Sequence, residues 1–427
     1  MNPFFLPAEI CLPRTGVSSS WCVVACDQYT SQPEYWEETK KIVGQDPSTL
    51  HMIFPEVYLE DRGVSERIEQ INQTMLQYRQ TILQTLPLGY VYVERVLHDG
   101  KIRRGLMGLI DLEQYDFQKG AQSAIRATEG TVLSRIPPRV RIREHATLEL
   151  PHVMLLFDDP NDTMFSALNA QKEEMRVLYD TPLMQNGGHI TGRMLTHAQW
   201  DLVDQTMLKL GDARIYSERY QLSLHDKPMV FAVGDGNHSL ATAKQCYENL
   251  KQRLTPQEAQ NHPARYALTE LVNIHDASLE FEPIYRVLFH VKPQELLQAW
   301  QAYAPGMMTD VKTKPNTPGH SFEMWHNGQC TSLFLPHPTA QLPVASLQSF
   351  LDAYLLQHPD VRLDYIHGVD AVQNLCQDED TVGFLFDGMK KSELFLSVIK
   401  DGALPRKTFS MGHANDKRYY LECRSIV

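Results

Sequence analysis

The 427-residue chain has no CxxC pair, and its seven cysteines (Cys11, Cys22, Cys26, Cys246, Cys330, Cys376 and Cys423) are odd in number and scattered. That pattern excludes the usual zinc ribbon and a disulfide framework, and Cys22 and Cys26 read as ordinary reduced residues. No apolar run reaches membrane length, and the start MNPFFLPAEICLP lacks the basic residues and long apolar core of a signal peptide. A soluble cytoplasmic protein is therefore expected. Basic residues are not in excess either: 40 Lys and Arg against 52 Asp and Glu give a net charge of −12. This balance argues against DNA or RNA binding by phosphate neutralisation. Four catalytic signatures are missing: GxxxxGK followed by Ser or Thr, GxGxxG, HExxH and GxSxG. Their absence removes the usual evidence for P-loop, dinucleotide, zincin and serine-hydrolase chemistry. There is no internal repeat and no Pro/Gly/Ser-rich linker.

What is present reads as α/β. From Val64, the residues Ile68, Ile71, Met75, Tyr78, Ile82 and Leu86 recur at spacings of three and four, which predicts one buried helix face. Asp99-Gly100 between Tyr90–Val96 and Lys101–Ile110 predicts a hairpin, and Asn327-Gly328 repeats the device. The apolar runs Val153–Phe157 and Met229–Val233 read as central strands, each followed by helix. Thr196 with Gln199 is a helix-capping pair. Strands in hairpins and strands between helices together predict mixed sheets in an α/β (α+β) protein. At this length two or three units are expected, drawn here as 1–160, 161–292 and 293–427, intertwined into one family-wide whole.

The sharpest chemical feature is Gly234-Asp235-Gly236-Asn237-His238-Ser239, between the strand Met229–Val233 and the helix-like run to Lys244. A strand turning through two glycines into a helix exposes backbone N–H groups at the positive end of the helix dipole, a place that binds phosphate or carboxylate. Asp235 is the candidate to face a metal ion, His238 to orient substrate or exchange a proton. The rival reading is a plain connection in which Asp235 and Asn237 only cap. A second segment runs from Arg126 through Glu129 and Arg135 to Arg139, Arg141 and Arg143. Read as a strand, its last three arginines share one face, suited to phosphate, with Glu129 as a candidate general base. The rival there is a solvated face. Pro405–His413, carrying Arg406 and Lys407 with Lys417 and Arg418 beyond, is a third candidate. Ala25–Gln32, after the strand-like Trp21–Ala25, is a fourth. Gln185–Ile190 is a weaker fifth.

At VACDQYTSQPEYW (Val24 to Trp36), IRATEGT (Ile125 to Thr131), DGNHSLATAK (Asp235 to Lys244), LVNIHD (Leu271 to Asp276) and PRKTFSMG (Pro405 to Gly412), the sequence resembles the bacterial domain-of-unknown-function family 1015, nearly end to end. Its glycine motif is similar to the DGxHR element of the ParB/sulfiredoxin-like fold and of the free-serine kinases built on it. The resemblance implies a ParB/sulfiredoxin-like core plus a further α/β subdomain. It implies phosphoryl transfer on free serine or phosphoserine, with ADP or ATP and magnesium. The arginine that follows the motif histidine is Ser239 here. A phosphate-binding cation must then come from elsewhere, with Arg135, Arg139 and Lys244 as candidates.

Residues and resemblance together give a kinase or phosphatase acting on a small amino-acid-like substrate. Asp235, Glu129 and His238 are its catalytic candidates. Gly236, Asn237, Ser239, Lys244, Arg126, Arg135, Arg139, Arg406 and Lys407 are its binding candidates. The expected partner is a small phosphorylated metabolite, with no nucleic acid and no membrane, and a homodimer is left open. The alternative is a regulatory protein that binds a nucleotide or metabolite without chemistry.

Overall fold

In the computed structural model, which describes residues 2–427, the chain divides into two compact units: Met1–Leu279 with Gly412–Val427, and Glu280–Met411. The three regions drawn from the sequence do not separate this way. Strands from 1–160 and from 161–292 share one sheet, because the chain returns to it repeatedly.

That sheet has nine strands: β1 (Val91–Val96), β2 (Ile102–Asp111), β3 (Tyr115–Asp116), β4 (Ile125–Ala127), β5 (Met154–Phe157), β6 (Arg176–Pro182), β7 (His189–Met194), β8 (Phe231–Asp235) and β9 (Tyr266–Asn273). Their order is β6-β7-β1-β2-β9-β5-β8-β4-β3. The pairs β9/β5, β8/β4 and β4/β3 are parallel and the others antiparallel, so the sheet is mixed, as hairpins combined with βα connections require. Gly100 takes the positive φ (82°) of the β1–β2 hairpin.

Both faces of this sheet are covered. In β1, Val91 and Val93 join one apolar core and Tyr92 the other, as period-two alternation dictates. One core receives the helix Val64–Thr81 through Ile68, Ile71, Met75 and Tyr78, as its spacing predicted. The other takes Met164, Phe165 and Leu168, Val203 and Met207, and Leu240, Ala243 and Tyr247, from the helices Thr163–Ala170, His197–Leu210 and Asn237–Lys251. The Thr196/Gln199 capping box is formed.

The second unit holds a seven-stranded sheet whose pairings are all antiparallel, including the Asn327-Gly328 hairpin, flanked by four helices. The protein is α/β throughout. No helix among the described residues is long and apolar enough to cross a membrane.

One expected strand is a helix. Ile136–Arg143 is helical, with its two prolines in the first turn. There the missing N–H groups cost nothing and the fixed φ suits the helix, so Pro137-Pro138 starts a helix where the alternating arginines suggested a strand. Arg139, Arg141 and Arg143 therefore do not share a strand face.

Candidate functional site

The strand β8 ends at Asp235, Gly236 takes a left-handed conformation (φ 79°, ψ 26°), and the helix begins at Asn237. Only glycine adopts this φ without strain, and a Cβ here would stand 3.1 Å from the Val153 Cα. No side chain caps this helix. The capping role of Asp235 and Asn237 is thus not played: Asp235 Oδ1 accepts from the Gly236 N–H (3.0 Å), while Asn237 Nδ2 donates to Thr128 Oγ1 (3.4 Å). The Thr128 hydroxyl donates in turn to the Val233 carbonyl (2.6 Å). Asn237 Oδ1 is buried with no partner. The first-turn amides from Asn237 to Ser239 are left to an external acceptor.

Three remote segments, together with the entry to β5, surround this turn. From the C-terminus comes Lys417, whose ammonium lies 3.2 Å from Asp235 Oδ2. Its backbone is fixed by buried guanidiniums. Arg95 donates to the carbonyls of Asn415 and Lys417 (both 2.5 Å) and Arg103 to that of Asp416 (2.8 Å). The next residue, Arg418, is buried against Glu270 (2.8 Å) and Glu422. A cation so held is placed rather than waving in solvent.

From the N-terminal segment comes Asp27, after the short strand Val23–Val24. His152 Nε2 lies 3.9 Å from its Oδ2, and Gln28 donates to its Oδ1 (3.0 Å). Burial works to raise the Asp27 pKa, but His152, Gln28 and Lys417 outweigh it and hold the carboxylate below its ordinary range. Beside it the Cys26 thiol is pushed well up, by burial first and then by Asp27 and Glu56, so it is no nucleophile.

His152 stands at the entry to β5. Met154 pairs with Asp235 across the antiparallel β5/β8 ladder, which brings His152 beside Gly236. Tyr420 OH is 2.7 Å from His152 Nδ1 and donates to Cys26 Sγ (3.0 Å).

The third segment follows β4. Thr128 supports Asn237, and the Val132 N–H donates to His238 Nε2 (3.4 Å). Glu129, half-buried between them, is itself engaged. Burial, then Arg139 and Arg135, lower the His238 pKa to about 4 against the pull of Asp27, so this ring is neutral near pH 7. Arg139 pairs with Glu56, whose N–H donates to the Cys26 carbonyl (2.8 Å), tying the arginine to the Asp27 loop.

Of the expected site residues, the structure therefore brings together Asp235, Gly236, Asn237, His238, Ser239, Arg135 and Arg139, with Glu129 next in the chain to Thr128. It does not bring in Arg126, which is buried and donates to the carbonyls of Ser123 (2.9 Å) and Lys227 (3.0 Å). Lys244, two turns along its helix, donates to the Leu112 carbonyl (2.9 Å) and pairs with Glu248 (2.8 Å). Arg406 and Lys407 belong to the second unit, where their carbonyls accept from Arg286 and their side chains are exposed. Gln185–Gly188 lies in the connection between β6 and β7, and His189 and Ile190 open β7. Gly188 packs so close to the Val96 carbonyl that a Cβ would stand 2.0 Å away, and Arg95 donates to the Gly187 carbonyl.

Asp27 and Lys417 stood inside segments singled out by sequence, but without assigned roles. His152 and Tyr420 carried no signal beyond their position next to apolar runs. For magnesium the residues do not make a cage. Asp235 already uses its oxygens on Lys417 and Gly236, and among the described residues no three His, Cys, Asp or Glu side chains form a group that could hold a metal ion. A cavity of about 250 Å³ lined by Leu12–Arg14, Val17, Leu86 and Arg176–Leu178 shares no residue with the cluster.

Solved structures of similar outline include a free serine kinase in complex with AMP (9% identity, TM-score 0.37, covering 73% of this chain and 90% of that one). A conserved hypothetical protein from Pyrococcus furiosus has 10% identity, a TM-score of 0.36 and coverage of 74% and 94%. SbnI with a C-terminal truncation, from Staphylococcus aureus, has 10% identity, a TM-score of 0.37 and coverage of 72% and 82%. No curated protein matches the chain. The family profile described as Protein of unknown function (DUF1015) matches residues 9–354, short of the Pro405–Gly412 segment but over most of the sequence, and the chain belongs to that family.

Proposed function

We propose that this protein binds a small phosphorylated ligand, a nucleotide among them, at the start of the helix Asn237–Lys251 and transfers a phosphoryl group to or from a small amino-acid-like molecule. The observation that carries this reading is an uncapped helix start beside an immobilised ammonium, Lys417, with two histidines and an ionised carboxylate close by. Phosphoryl transfer asks mainly for positioning and charge neutralisation, which amides, Lys417 and Arg139 would supply. Lys417 fills the need left by Ser239, where a cation was expected. Magnesium, if used, would arrive with the nucleotide phosphates.

Heat stability of the purified protein with and without ADP, ATP or phosphoserine tests binding. Lys417→Met should weaken the stabilising ligand about tenfold or more and leave the unliganded melting temperature within a few degrees. No stabilisation by any of the three would sink the proposal. Product formation from labelled ATP and serine under single-turnover conditions separates an enzyme from a nucleotide-binding regulator.

A further inference from the structure

We infer that His152 is the proton acceptor of this site, an inference that rests on the phosphoryl-transfer reading. Tyr420 decides the tautomer of the ring. Its hydroxyl has one proton, donated to Cys26 Sγ (3.0 Å), and accepts from the Cys26 N–H (3.3 Å). With that proton on Cys26, the oxygen 2.7 Å from His152 Nδ1 accepts from Nδ1–H and the neutral ring keeps a bare Nε2, which is the tautomer this inference assigns.

That bare nitrogen lies on the turn side. The adjoining Cδ2 is the ring atom nearest Gly236, 3.4 Å from where a Cβ would stand, and Nε2 is 3.9 Å from Asp27 Oδ2. The gap is too long for a direct hydrogen bond and leaves room for a substrate hydroxyl that donates its single proton to Nε2 at about 2.8 Å. His238 cannot serve through its Nε2, which accepts from the Val132 N–H. Glu129 is already engaged. Asp27, ionised and facing the ring, is placed to stabilise the imidazolium as it forms.

In the transfer the substrate O–H bond breaks to Nε2 and its electron pair forms the new O–P bond. The bond from that phosphorus to the bridging oxygen of the donor, a nucleoside di- or triphosphate, breaks with its pair leaving on the nucleotide. His152 ends as an imidazolium between Tyr420 and Asp27.

His152→Asn separates this role from a structural one, because the amide Nδ2 can still donate to Tyr420 while the base is gone. Expected results are an unchanged melting temperature, unchanged stabilisation by ADP, and a single-turnover rate from ATP to serine lowered about 100-fold or more. Glu129→Gln should stay well above that rate. Long-range ¹H–¹⁵N correlation on the wild-type protein should show His152 protonated at Nδ1 and bare at Nε2. A His152→Asn rate within about threefold of wild type, or a neutral ring carrying its proton on Nε2, overturns the inference. If wild type binds ADP but transfers nothing, the enzymatic reading fails on its own, and the tautomer measurement still decides the ring.

Discussion

Replacing His238 by Gln should flatten the acid dependence of stability. The ring sits at the second residue of its helix, half-buried, and accepts from the Val132 N–H at 3.4 Å. Burial and the two arginines take its pKa from 6.5 to about 4. The unfolded chain therefore binds this proton more readily than the folded one. The contribution of His238 is intact above pH 6.5 and is lost as pH falls from 6.5 towards 4. For a fully buried ring that difference would be about 3 kcal/mol. A half-buried ring is partly screened, which reduces the figure to about 1–2 kcal/mol. Glutamine keeps an acceptor of similar reach and does not titrate. Urea unfolding at about pH 7 and about pH 4.5 should show wild type losing roughly 1–2 kcal/mol more than His238→Gln across that interval. Equal losses, or an NMR titration of His238 centred at its ordinary value, would refute the reasoning.

Gly236→Ala should cost about 1–2 kcal/mol, because φ is 79° and the new methyl would press on Val153, and it should abolish any ligand-induced stabilisation. Unchanged ligand response would mean that the turn is not the binding element. Glu270→Gln removes the charge between Arg418 and Arg103, leaving two buried guanidiniums undercompensated. A loss of about 3–5 kcal/mol in chemical unfolding is expected, and a loss below about 1 kcal/mol would contradict the buried-pair account.

The sheet around Glu270 also shows why part of the fold was legible and part was not. Asp99-Gly100 and the three- and four-residue spacing after Val64 act over a few residues, so the hairpin and helix can be read from neighbours alone. Gly105 in β2 gave no such sign: it is a glycine because a Cβ would stand 2.2 Å from Glu270 Oε1 on the adjacent strand. The arginines at 139, 141 and 143 satisfied a strand's alternation as well as a helix's surface. Pro137-Pro138 decided between them.

By itself the sequence determined the glycine turn between strand and helix, since Gly234, Gly236 and the apolar run before them are local in the chain. It also placed Ser239 after the motif histidine, where the resemblance implied an arginine. Which cation lies beside the turn was decided only by tertiary structure. Lys417 arrives from 182 positions beyond Asp235 because Arg95, Arg103 and Glu270, buried on strands of the sheet, hold the returning C-terminal segment in place. His152 is brought to Gly236 by the register of β5 against β8. Both placements depend on long-range pairing and on burial of charge, and neither leaves a periodic trace in the order of residues.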